Sequence, residues 1–171
     1  MPFSPIWKKI PLKKKEHKNE VLERLKAVPV FEDLTEAELK EIEKMCHIRI
    51  YKEDEHIFRS GEPGVGMYVI LEGNVEIYFQ RHELYTQLAS LDEGDFFGEL
   101  ALLEETPRTA SAIAKNYCRI LGFFRPDLLN MMTRKPSTGS KVALNMARLM
   151  GRRLIHANEH IESLTASLES R

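Results

Sequence analysis

The residues best suited to chemistry lie together in one run, Phe97-Gly98-Glu99-Leu100-Ala101-Leu102-Leu103-Glu104-Glu105-Thr106-Pro107-Arg108-Thr109-Ala110. Glu99–Leu103 reads as a short helical turn, and a helix start presents unpaired backbone N–H groups and a positive dipole end. Gly98 lets a ligand approach the backbone closely. Arg108, reached through an extended Thr-Pro, offers a planar fork matched to phosphate oxygens. Residues 96–110 therefore read as an anion cradle. Glu99 is the odd member, because a carboxylate repels a phosphate. It makes sense if Glu99 accepts a hydrogen bond from a hydroxyl and pairs with Arg108 at the same time. A ligand with one negative phosphate beside a ribose 2′-hydroxyl meets that demand, and a 3′,5′-cyclic nucleotide is such a ligand.

The elements around this run must hold it in place. Glu16 to Ala27 suits a short helix with Val21, Leu22 and Leu25 on one face, ended by Pro29. Thr35 with Glu38 forms a capping box that opens a second helix through Leu39, Ile42 and Met45. From His47 to about Phe124 the period is strand-like. Ile48, Ile50 and Ile57 alternate with polar residues, Met67–Leu71 is fully apolar, and Glu72-Gly73-Asn74 is a turn before Val75, Ile77 and Phe79. Leu84–Leu91 is closed by Asp92-Glu93-Gly94-Asp95, and Ser111–Ala114 and Tyr117–Phe124 supply two more strands. Many short strands with glycines at the turns predict a mainly β fold with flanking α-helices, a double-stranded β-helix or jelly-roll barrel. Helices return after Pro126. The expected divisions are a basic arm and short helix over 1–29, the barrel over 30–140, and a C-terminal helix over 141–171.

Composition fits one globular domain: 171 residues, 43% hydrophobic and 30% charged, with a formal net charge of −1. That balance gives no overall field toward nucleic acid. No apolar run approaches a membrane span, and the N-terminus lacks the order of a signal peptide. Cys46 and Cys118 stand alone and read as two buried thiols, so a cytoplasmic location is expected. Charge is uneven locally: residues 1–29 are Lys-rich, and Arg134 to Arg153 contains no acid. Either stretch suits an acidic partner or anionic lipid, or simply a solvated tail and helix face.

The run Phe97–Ala110 resembles the phosphate-binding cassette of the cyclic-nucleotide-binding domain family, of the catabolite-activator and protein-kinase-A-regulatory-subunit type. The resemblance spans about residues 30–165 and includes Ile57-Phe58-Arg59-Ser60-Gly61-Glu62 and the hairpin Met67–Val75. It implies that Glu99 takes the ribose 2′-hydroxyl. It implies that Arg108 takes the cyclic phosphate, helped by Thr109 and by backbone amides near Gly98, Leu100 and Ala101. Thr109 stands where many cyclic AMP binders have Ala and cyclic-GMP-dependent kinases carry Thr, whose hydroxyl can reach the 2-amino group of a syn guanine. Bacterial cyclic AMP binders commonly place Ser or Thr there against the phosphate. Cyclic AMP is favoured over cyclic GMP.

After Lys141 the sequence stays helical. Ala147, Met150, Leu154, Ala157, Ile161, Leu164 and Leu168 follow the strict 3,4 spacing of a coiled-coil seam, while Val142, Met146 and Leu149 form a second stripe that suits packing on the barrel. A homodimer through this helix is expected, and bacterial members resemble it in pairing their long helices. Aligned on Arg152-Arg153-Leu154, the base-contacting positions fall on Ala157 and Asn158; Ala157 departs from the family's hydroxyl residue. The activator-type members continue into a helix-turn-helix, whereas only Leu168 to Arg171 remain here. Direct DNA binding is therefore not expected, and the signal is expected to pass to a separate protein effector. His156-Ala157-Asn158-Glu159-His160 matches the H-x-x-E-H zinc peptidase pattern but lacks a third ligand and a cleft. No catalytic constellation, cofactor or metal site is expected. The rival binding reading is a vestigial pocket on a protein-interaction module.

Overall fold

The computed structural model describes residues 16–81 and 84–169. The Lys-rich residues 1–15 lie outside them. The chain runs α1 (Glu16–Ala27), a 3-10 turn (Pro29–Phe31), α2 (Glu36–Met45), then β1 (His47–Tyr51), β2 (His56–Phe58), β3 (Gly66–Glu72), β4 (Val75–Arg81), β5 (Leu84–Leu91) and β6 (Phe96–Phe97). It continues with α3 (Leu100–Leu103), β7 (Ser111–Ala114), β8 (Cys118–Phe124), α4 (Arg125–Arg134) and α5 (Pro136–Glu169). This is the mainly β jelly-roll architecture with flanking helices that the strand spacing predicts.

The strands form two antiparallel four-stranded sheets, ordered β1-β8-β3-β6 and β2-β7-β4-β5. The sheets face each other as a sandwich, and strand pairing does not close them into the expected barrel. β6 is too short to bridge the edges, with only Phe96 and Phe97 paired to β3. The unbroken apolar run of β3 follows from its central position. Met67, Val69 and Leu71 face a core shared with the helices, whereas Tyr68 and Ile70 face the sandwich interior.

The capping box on α2 forms as its residues predict: the Thr35 hydroxyl accepts from the Glu38 amide (3.3 Å), and the Thr35 amide donates to the Glu38 carboxylate (2.8 Å). α5 begins at Pro136 rather than Lys141, because proline suits a first helical turn. Gly139 is tolerated because the helices touch there: a Cβ would sit 2.7 Å from the Met132 Cα. Val142, Met146 and Leu149 are buried, while every described side chain from Gly151 to Leu168 is exposed. No described helix is long and apolar enough to cross a membrane.

The basic side chains of the acid-free stretch from Arg134 to Arg153 are mostly solvent-exposed, as a solvated face requires, and several of them also pair within the chain. Lys135 meets Glu41 (2.9 Å), Lys141 meets Glu38 (2.9 Å) and Arg148 meets Asp33 (3.7 Å). Buried Asn145 donates to the Glu32 carbonyl (2.5 Å). Helix α5 thus packs on α4 and the 3-10 turn and is tied by polar contacts to α2 and the residues before it.

Candidate functional site

The cassette crosses from one sheet to the other, leaving β6 at Phe97 and re-entering at β7. A return segment holds it by main-chain bonds. The Gly61 amide donates to the Arg108 carbonyl (2.8 Å), the Arg108 amide to the Glu62 carbonyl (2.8 Å), and the Gly64 amide to the Thr106 carbonyl (3.1 Å). These bonds fix the backbone of Arg108 and aim its side chain inward. The guanidinium donates through Nη1 to the Gly98 carbonyl (3.1 Å) and through Nη2 to the Gly66 carbonyl (2.8 Å). Its Nε is buried and has no acceptor. Among the described residues no carboxylate pairs directly with it, and the residue is only 7% exposed. Burial pulls Arg108 below its ordinary pKa, opposed by Tyr68, Glu99 and Glu62 nearby. A buried cation with neutral partners and an unmet donor is a site that demands an anion.

Gly98 is needed for a reason the sequence reading did not give. Its φ is +77°, and a Cβ would lie 2.7 Å from Arg108 Nη1. The missing side chain admits the arginine. Glu99, 3% exposed, is the N-cap of α3. Its carboxylate does not pair with Arg108 as expected; it takes a charged bond from Arg153 of α5. The Arg153 guanidinium also lies over the Phe96 ring (5.8 Å). The reason is geometric: Arg108 is turned toward two carbonyls, and α5 passes over the mouth within reach of Glu99.

These residues enclose a cavity of about 300 Å³, in the size range of small-ligand sites. Glu99, Arg108 and Thr109 supply polar groups, and Ile77, Leu88 and Leu91 an apolar wall. Leu100 and Ala101 line it too, but the Ala101 amide donates to the Gly98 carbonyl (3.2 Å). That amide is therefore committed to the turn, and Leu100 is the better-placed donor of the two. Thr109 is exposed at the rim.

Ala157 and Asn158 are exposed on α5 and do not line this cavity; the helix contributes Arg153 instead. Sequence reasoning had Arg152-Arg153 in view but missed this role. Consecutive helical residues point about 100° apart, and nothing in the sequence says which of the two faces the sandwich. His156 and Glu159 lie 3.6 Å apart on the exposed helix, and no group of three or more metal-binding side chains forms among the described residues. Both cysteines are free thiols; Cys46 is partly rather than fully buried, and burial pushes it up to about 12.

Residues 48–135 match the family model described as the cyclic nucleotide-binding domain. The chain is 34% identical over 144 residues to the cyclic AMP receptor protein of Thermus thermophilus, covering 82% of this chain and 64% of that protein. It is 34% identical over 114 residues to the cGMP-dependent protein kinase of Plasmodium berghei, covering 67% of this chain and 13% of that protein. The crystal structure of the Thermus thermophilus catabolite activator protein matches with a TM-score of 0.72 at 32% identity, covering 81% of this chain and 63% of that one. The chain thus spans less than two thirds of the length of these relatives.

Proposed function

The chain belongs to the cyclic nucleotide-binding domain family, and from that premise we propose that its cavity binds a 3′,5′-cyclic nucleotide, cyclic AMP in preference to cyclic GMP, as a regulatory sensor. The observation that carries the reading is the buried Arg108 guanidinium, with no carboxylate partner among the described residues and its Nε unmet, beside the buried Glu99 carboxylate. A cyclic phosphate monoanion supplies the counter-charge Arg108 lacks. The ribose 2′-hydroxyl donates to Glu99, and the base lies toward Ile77, Leu88 and Leu91 at the mouth. Thr109 at the rim reaches the phosphate side of the site.

The signal leaves through α5. Glu99 already accepts from Arg153, so a ribose hydroxyl arriving at Glu99 competes for the carboxylate that holds the helix. A ligand shifts a helix only by its differential affinity for two helix positions, and this shared acceptor supplies one. The exposed half of α5 carries the seam Leu154, Ala157, Ile161, Leu164 and Leu168, suited to a second copy. In a parallel pair, Arg153 of one copy neighbours Asn158 of the other, which is how Asn158 reaches a base it does not reach within one chain. A separate effector protein then reads the paired helices.

Calorimetric titration with cyclic AMP, cyclic GMP and 2′-deoxy cyclic AMP tests this. Cyclic AMP should bind most tightly and the deoxy analogue more weakly. Binding of neither nucleotide would leave the vestigial-pocket reading standing.

A further inference from the structure

A buried arginine is ordinarily held by a carboxylate, which fixes its pose and cancels its charge. Among the described residues Arg108 has no such partner, yet its pose is over-determined. Its Cζ lies 4.1 Å from the centroid of the Phe58 ring and 5.5 Å from that of Tyr68. Those rings are themselves locked: Phe58 and Tyr68 are 5.8 Å apart, Phe58 and Phe97 5.8 Å, and Tyr68 stacks on Phe97 at 5.5 Å and 27°. Phe58 and Tyr68 are 9% and 6% exposed. With the Gly66 and Gly98 carbonyls each taking one donor, the guanidinium's hydrogen bonds and ring contacts among the described residues are all with neutral groups.

We propose that Phe58 and Tyr68 are positioning residues that hold the Arg108 guanidinium on an aromatic platform, in place of a carboxylate, so that it meets the cyclic phosphate with its charge uncancelled. A π face attracts a cation through its quadrupole and adds no net negative charge. It therefore orients the guanidinium without competing with an anionic ligand. An aliphatic side chain of equal volume fills the space but supplies no such field. The attraction is strongest where water is excluded, and the burial of all three side chains places it there. Phe58 ends β2 just before the segment that pairs with the Arg108 backbone, and Tyr68 lies in β3, two residues beyond Gly66. The same elements thus fix the main chain, the acceptors and the platform.

This inference rests on the ligand reading above, so the test separates the two. Cyclic AMP is titrated into the full chain and its variants. Phe58→Met, which preserves apolar volume, should weaken binding about tenfold. Phe58→Tyr, which keeps a π face, should stay within threefold of the parent. The Phe58→Met effect should vanish in an Arg108→Ala background. In the ligand-free parent protein, NMR should find the Arg108 Cδ protons shifted upfield by the ring. Binding by Phe58→Met within threefold of the parent, with or without a loss of thermal stability, would overturn the proposal. Should Phe58→Met fail to fold, or the parent bind neither nucleotide, the NMR signature decides: Cδ protons at their ordinary shift overturn the platform, and an upfield shift upholds it.

Discussion

Arg108 and Glu99 are both buried at one mouth, but they depend on different partners. Arg108 is held by the Gly98 and Gly66 carbonyls and Glu99 by Arg153, and on the proposed reading the first meets the phosphate and the second a ribose hydroxyl. Their losses should therefore differ in kind. Arg108→Ala should weaken every cyclic nucleotide by roughly 2–5 kcal/mol, the scale for truncating one member of a buried charge pair. Glu99→Gln should cost roughly 1.5–3 kcal/mol on ligands with a 2′-hydroxyl and much less on 2′-deoxy cyclic AMP, because only the former uses the carboxylate. Paired titrations of both variants check this. Equal losses for the two ligands in Glu99→Gln would mean that the carboxylate does not read the ribose.

Among the elements, α2 and α5 are joined by polar contacts that can be tested by pH. The Glu38 carboxylate caps α2 and also receives Thr138 (3.0 Å) and Lys141 (2.9 Å) from α5. Its pKa is lowered from 4.5 to about 2, first by the Thr35 amide and then by Lys141. A carboxyl depressed by folding stabilises the fold above its unfolded value, and that stability is lost as the pH falls from about 4.5 through 2. Glu38→Gln should therefore destabilise the chain at pH 7 by about 1–2 kcal/mol, a cap-sized effect that allows for screening by solvent. Denaturant unfolding from pH 7 to pH 2 should see the gap to the parent close as Glu38 itself protonates. A gap that persists at pH 2 would locate the effect in packing rather than charge. The contact anchors the half of α5 that leads to Arg153.

The whole molecule divides α5 in two. Up to Leu149 it belongs to the core and Arg153 still reaches the cavity mouth; from Leu154 onward it offers about 22 Å of exposed helix. Leu154, Ile161, Leu164 and Leu168 are 52–70% exposed there along one stripe. Ile161→Lys combined with Leu164→Lys should give a monomer at concentrations where the parent sediments as a dimer, with thermal stability of the core retained. A truncation meant to remove only this seam belongs after Met150, since a cut at Ser140 would also strip buried Val142, Met146 and Leu149 from the core. A parent that sediments as a monomer at all concentrations would assign the stripe to another partner.

Local chemistry made much of this legible in one dimension. The Thr35–Glu38 box, the apolar run of β3 and the double stripe of α5 are short-range patterns, and each fixes a helix start, a central strand or a buried face by itself. The cassette was legible because Gly98, Glu99 and Arg108 are close in sequence and their chemistry fits one ligand. Partners distant in sequence were not. Gly98 makes room for a guanidinium that lies ten residues on, Glu99 meets Arg153 instead of Arg108, and Asn158 is out of reach within one chain, because α5 crosses the cavity mouth at a height and rotation set by its packing on α4 and the 3-10 turn and by its polar contacts to α2. Local sequence determined which side chains gather at the cavity; tertiary packing decided which group holds each of them, since that depends on distances between segments far apart along the chain.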